Sequence, residues 1–197
     1  MSPITHFLVG WALLERRVSA PRDKALVCLA GVAPDLDGLG LLVDALYRAL
    51  GSPATRYYED YHRLFGHSLP AALLLAALVA VPARQRLRVA VLGLVAVHLH
   101  LLCDLLGSRG STPLDLWPIW YLAPFSLTPE WSVSWQWPLV GWHNLLLSAA
   151  LLFITLRRGA VTGYTPLTLL APRVDRAVVE VLRRWGGRAR APERGTR

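Results

Sequence analysis

The chain has 197 residues, of which 54% are apolar and only 17% charged, with a mean hydropathy of +0.38. A soluble domain carries about a quarter charged residues, so this balance argues against an ordinary soluble fold and for one membrane-embedded unit. The net charge of +8 raises nucleic acid as a partner, but no recognition motif accompanies it, and the basic residues are distributed as in a membrane protein.

Residues 4–15 form a first apolar segment with His6 near its start. No positive n-region or small-residue cleavage site is present there, so no cleaved signal peptide is expected. A basic connector (Arg16, Arg17, Arg22, Lys24) leads to a second apolar stretch, 25–50, broken at Ala33-Pro34-Asp35-Leu36-Asp37-Gly38. Proline removes a backbone donor at that break and leaves free polar groups beside two carboxylates. A polar loop over 51–67 ends in His62-Arg63-Leu64-Phe65-Gly66-His67. Ser68 is placed to cap a helix over 69–82, with Pro70 in its first turn.

Arg84, Arg86 and Arg88 separate that helix from the next, 89–106, which carries His98, His100 and Asp104. A Pro- and Trp-rich loop over 107–138 leads to a last apolar helix, 139–156, containing His143 and closed by Arg157 and Arg158. Cys28 and Cys103 lie inside apolar runs without disulfide or zinc-finger spacing, which predicts packing roles. The expected fold is all-α: a multi-pass helical membrane bundle of four to five membrane helices, several of them short. Residues 1–158 make the embedded domain, and 159–197 a basic cytoplasmic tail. Within the tail, 173–185 places Val174, Ala177, Val178, Val181, Leu182 and Trp185 on one helical face, as in a helix lying on the anionic leaflet. The residues after Gly186 read as disordered.

If the loops at 16–24 and 84–88 and the chain from 157 share one face, that face holds 17 of the 21 Lys and Arg residues. The opposite side holds eight of the thirteen acids. The positive-inside rule makes the basic face cytoplasmic. All six histidines then fall toward the other, extracytoplasmic end, although only Lys, Arg and helix alternation were used to divide the chain.

Each polar residue has an ordinary reading by itself. Asp35 or Asp37 can cap a turn, His62 and His67 can be loop histidines, and His6 and His143 can be structural. The tryptophans between 117 and 142 can be an interfacial belt. His100 and Asp104, four residues apart, share one helical face and are suited to hold one metal ion. His98, about 200° round the helix from His100, falls outside such a site. Ionisable groups inside apolar segments are costly and mark function, which favours a common site.

The order Thr5-His6, Pro34-Asp35-Leu36-Asp37, His62-Arg63…His67-Ser68, His100-x-x-x-Asp104 and Leu116-Trp117-Pro118 resembles the YdjM-like family of membrane-bound metal-dependent hydrolases over about residues 1–120. That family is in turn similar to zinc-dependent phospholipase C and the single-strand-specific zinc nucleases. The chain departs from the family pattern at Leu64, where the family has glycine, and at Gly66, where it has threonine. A Thr-Pro pair, here Thr112-Pro113, is displaced.

The resemblance implies that His6, Asp35 or Asp37, His62 or His67, His100 and Asp104 are metal ligands. Six or seven candidates exceed what one zinc takes, so two divalent ions, zinc by preference, are expected. The expected reaction is hydrolysis of a phosphoester of a lipid or other amphiphile. Arg63 would balance developing charge, and whichever of Asp35 and Asp37 does not ligate metal would orient the water. The alternative is a membrane protein that binds or transports metal without hydrolysis. Membrane lipids are the expected surroundings, the bacterial-type inner membrane the expected location, and nucleic acid is not expected as a partner.

Overall fold

The computed structural model describes residues 1–53, 55–62 and 64–186. Arg63 and the stretch after Gly186, for which the sequence predicts a substrate-facing guanidinium and disorder, lie outside the described residues. The elements in order are α1 (Pro3–Leu14), α2 (Pro21–Ala30), a 3-10 turn (Ala33–Leu39), α3 (Gly40–Ala49), α4 (Tyr57–Tyr61), α5 (Leu69–Ala80) and α6 (Arg86–Gly107). The hairpin strands β1 (Ile119–Trp120) and β2 (Glu130–Trp131) follow, then α7 (Trp142–Thr162), a 3-10 turn (Pro166–Leu169) and α8 (Pro172–Trp185).

Local chemistry sets the helix ends. Ser2 accepts from Thr5 N at 3.2 Å ahead of α1, and Ser68 accepts from Ala71 N at 3.3 Å ahead of α5, each with proline in the first turn. Both are N-caps that satisfy otherwise orphaned donors. Asp23 accepts from Arg84 N and Gln85 N at 2.9 and 3.0 Å, and so ties the start of α6 to α2. Helix α7 ends at Gly163, whose φ of +87° is the left-handed C-terminal geometry that glycine supplies.

Helices α2, α5 and α6 pack through small and β-branched side chains, among them Val27, Ala30, Ala72, Val89, Ala96 and Val97, all buried. Small residues let helix backbones approach where lipid provides no hydrophobic drive. Cys28 is fully buried and unpaired, in keeping with a packing role. Large apolar side chains cover much of the outside, including Leu42, Leu74, Leu87, Leu146 and Phe153. A soluble monomer does not expose apolar surface on this scale.

Among the described residues, α6 and α7 are long and apolar enough to cross a membrane. The α2–α3 pair, bent by 53° at its break, makes a third if it counts as one span. Helices α1 and α5 have 12 residues each, a rise of about 18 Å against a hydrocarbon core of about 30 Å.

The helices alternate in direction. The starts of α1, α5 and α7 and the ends of α2 and α6 meet at one end. At the other, Lys24 Nζ donates to Glu15 and to Tyr164 at 3.0 and 2.8 Å, and Arg158 donates to the Ala12 carbonyl. Helix α8 docks at that second end. Arg183 Nε donates to Ala160 O at 2.8 Å, and Asp175 accepts from Thr165 N and Oγ1 at 2.9 and 2.6 Å. The α8 stripe of Val174, Val181 and Trp185 stays exposed.

Candidate metal centre

The first end of the bundle gathers its polar residues from five places in the chain. His6 sits one turn into α1, His67 lies just ahead of α5, and His100 and Asp104 share the inner face of α6; all four are buried. The break after α2 is a 3-10 turn. With three residues per turn, two residues are roughly 240° apart, so Asp35 and Asp37 project in different directions. Asp35 faces α1 and α6, and Asp37 faces the 62–67 loop.

The inner group is His6, Asp35, His100 and Asp104. His6 Nε2 lies 3.2 Å from Asp104 Oδ1 and 4.0 Å from Asp35 Oδ2. His100 Nε2 lies 3.0 Å from Asp104 Oδ2 and 3.8 Å from Asp35 Oδ1. His67 Nε2 joins them, 3.1 Å from His100 Nε2 and 3.4 Å from Asp104 Oδ2. Ligands bonded at about 2.0–2.1 Å in a tetrahedral site lie roughly 3.3 Å apart, so these spacings suit a common cation.

The outer group is Asp37, His62 and His67. Asp37 Oδ1 meets His62 Nδ1 at 2.5 Å. Its Oδ2 accepts from Gly66 N at 2.8 Å and meets His67 Nδ1 at 3.3 Å. His67 thus belongs to both groups, with Nδ1 toward Asp37 and Nε2 toward the inner cluster.

Hydrogen bonding indicates which nitrogens are free to bind metal. His100 Nδ1 faces the Gly31 carbonyl at 2.9 Å and must donate to it, which leaves Nε2 with a lone pair. His67 Nδ1 faces a carboxylate in the same way. When both rings are neutral, as metal ligands must be, two imidazole lone pairs and two carboxylates converge, an arrangement that a cation balances. The Met1 ammonium meets Asp104 Oδ1 and lies 2.6 Å from Ser108 Oγ. Yet both ring nitrogens of His6 and Asp35 Oδ2 are buried without a hydrogen-bond partner. Such orphans are rare in proteins, and a cation bound at the cluster would satisfy His6 Nε2 and Asp35 Oδ2. Burial alone would depress the His67 imidazole, but hydrogen bonds and charge from Asp104 and Asp37 outweigh that and push it up to about 9. Without metal, His67 is therefore an imidazolium at neutral pH.

Three further residues hold the site together. Gly66 approaches so closely that a Cβ there would meet the Pro34 carbonyl and the Asp37 carboxylate, which accounts for glycine at this departure from the family pattern. Gln136 is fully buried. It accepts from Trp117 N at 2.7 Å and donates to Asp104 O and Leu105 O, both at 2.9 Å. Asn144 donates to Gly107 O and Leu139 O at 2.8 Å and accepts from Trp137 Nε1 at 2.6 Å. These amides pin the Trp-rich loop over the end of α6, so that Trp117 stands edge-on to His62 and His67, with ring centroids 5.1 and 6.0 Å apart. Neither amide stands out in the sequence: Gln136 lies in an irregular segment with no periodic signature, and Asn144 in the first turn of α7 reads as an ordinary polar residue at a helix start.

The structure brings together His6, Asp35, Asp37, His62, His67, His100 and Asp104. It leaves out His98, which contacts Leu94 O at 2.8 Å and the Tyr121 hydroxyl at 2.9 Å, as its helical phase requires. It also leaves out His143, which stacks on Trp142 and Trp137. Asp44 is taken up by Thr55 Oγ1 at 2.6 Å and by Tyr57 N and Tyr58 N at 2.9 and 3.0 Å.

The inner cluster is not sealed. A cleft of about 950 Å3 reaches Asp35, His62 and Asp104 from the outside. The profile described as YdjM inner membrane protein matches residues 1–178. No curated protein and no solved structure matches the chain.

Proposed function

The chain belongs to the YdjM inner membrane protein family, and on that premise we propose that it is a membrane-bound metal-dependent hydrolase. One observation carries the reading: five donor side chains converge at 3.0–4.0 Å spacings around buried, unpartnered nitrogens at the floor of an open cleft. His6, Asp35, His67, His100 and Asp104 would hold a divalent ion, zinc by the nitrogen-rich donor set. A second ion would draw on Asp37 and His62. The 2.5 Å contact of this pair equally suits a carboxylate that orients imidazoles.

A bound ion of this kind supplies Lewis acidity and makes water acidic enough to act near neutral pH. The chain's own groups do the rest. Asp37 fixes the His62 and His67 rings through their Nδ1 atoms. His62, at the cleft floor, is placed to hold or pass a proton, and Trp117 limits the entry of bulk water. Arg63, assigned from sequence alone, would balance charge on phosphoryl oxygens. In the proposed hydrolysis of an amphiphilic phosphoester, the water oxygen joins phosphorus and the P–O bond to the alcohol breaks. One water proton ends on that alcohol.

The basic end, with α8 and its arginines, is cytoplasmic in this reading, and the metal centre is extracytoplasmic. Helices α1 and α5 complete a bundle of four to five membrane helices as short or partial spans. The decisive experiment is metal analysis of purified protein with a phosphoester screen. The expected result is stoichiometric metal and metal-dependent hydrolysis, both lost in Asp104→Asn. Protein without stoichiometric metal, or metal uptake into vesicles with no ester cleaved, would overturn the proposal.

A further inference from the structure

The cleft that exposes the metal centre has two apolar walls. On one side stand Leu39 at the end of the 3-10 turn and Leu41 and Leu42 of α3. On the other are Leu139, Val140 and Leu145, just before and within the first turn of α7. Its floor is polar, with Asp35, His62 and Asp104. Val140 is 94% exposed and Leu42 64%, so the mouth is open between two rows of hydrocarbon. The first wall lies in the bent α2–α3 pair and the second at the start of α7, both candidate spans, with Leu145 inside α7 and Leu139 and Val140 just ahead of it. An apolar slot between such segments faces lipid chains, not water. Its polar end coincides with the donor cluster.

We infer that the cleft is a lateral entry for a membrane-resident amphiphile. The hydrocarbon chain lies between α3 and the start of α7, and the polar head meets Asp35, Asp104 and His62. The inference rests on the hydrolase reading for its chemistry and on the cleft alone for its occupant. Burial of apolar area along the walls holds the chain at roughly 25 cal/mol per Å2. Among the described residues no arginine or lysine side chain lines this floor, so the cation that the cluster would hold is what draws an anionic head there. A long-chain phosphoester fits both ends, whereas a small soluble phosphoester fits only the polar one.

The test uses the full-length, metal-loaded protein in lipid nanodiscs. Leu42→Trp and Val140→Trp fill the mouth from exposed positions outside the metal centre. The expected result is a fall of about tenfold or more in the ratio of kcat/KM for a long-chain phosphodiester in the bilayer to kcat/KM for a soluble chromogenic phosphodiester, with metal content unchanged. An unchanged ratio in both variants would overturn the lateral entry and leave the hydrolase reading standing.

A second measurement needs no turnover. A phospholipid carrying a diazirine near the head end of its chain is irradiated in the nanodisc, and the adducts are mapped. Adducts on the segment around the buried Trp117, diminished by Val140→Trp, support the proposal. Adducts confined to outer residues such as Phe153 would overturn it. Where neither ester is cleaved, the hydrolase reading fails and the labelling still decides the cleft.

Discussion

Asp37→Asn separates an orienting carboxylate from a metal ligand. Asp37 takes three contacts: His62 Nδ1 at 2.5 Å, Gly66 N at 2.8 Å and His67 Nδ1 at 3.3 Å. Asparagine keeps the shape but offers one acceptor oxygen, so one side of this arrangement faces an amide NH2. If the oxygen stays with Gly66 and His67, the His62 contact must reverse its polarity, and the remaining bonds lose their charge assistance. A bond to a charged group is worth roughly twice a neutral one, a loss of about 1 kcal/mol for each imidazole. The sum of about 2 kcal/mol is roughly thirtyfold in affinity, within the 10–100-fold typical when the partner of a liganding histidine is lost. Competition against a chromophoric chelator at fixed pH reads this directly, with the melting curve as a check on folding. An affinity within threefold of wild type would refute the orienting role. Loss of one whole ion equivalent would instead make Asp37 a direct ligand.

Other expectations follow from the same geometry. Gly66→Ala should cost about 1–3 kcal/mol through overpacking against Pro34 and Asp37, seen as a lower melting temperature and weaker metal binding; an unchanged melting curve would show that the loop has room. Because His67 without metal titrates at about 9, metal must displace a proton there. Apparent affinity should rise up to tenfold per pH unit toward pH 9, with proton release measurable by calorimetry in buffers of different ionisation enthalpy. The same raised pKa stabilises the metal-free protein below about pH 6.5, and that contribution is lost as pH rises through 9. Metal-free protein should therefore melt lower at pH 9.5 than at 6.5, and a flat profile would contradict the His67 environment. Gln136→Leu leaves the Trp117 N–H and the Asp104 and Leu105 carbonyls without their partner, at about 1–3 kcal/mol for an unsatisfied group. Faster hydrogen exchange across residues 116–120 is the expected readout, and wild-type exchange there would show that Gln136 does not hold the loop.

Much of the site was legible because cost is a sequence-level signal. His100 and Asp104 stand out as ionisable groups in an apolar helix, and their four-residue spacing puts them on one face in any helix. Pro34 marks the break that frees the two aspartates. Counting Lys and Arg sorted the loops into two ends, and the helix directions agree with that sorting. The short α1 and α5 were legible too, with 12 residues each, whereas apolar runs do not show where a membrane boundary falls. The roles of Gln136 and Asn144 were also hidden, because their partners lie 19–37 residues away or in an irregular loop.

By itself the sequence determined a helical membrane protein with a histidine- and aspartate-rich end opposite a basic one, since hydropathy, helical phase and charge are properties of local stretches. The tertiary structure decided which nitrogen of each imidazole faces which carboxylate. It also decided that His67 links the inner and outer groups and that an apolar cleft opens onto both. Those relations depend on distances between residues far apart in the chain, and a one-dimensional pattern carries no such distances.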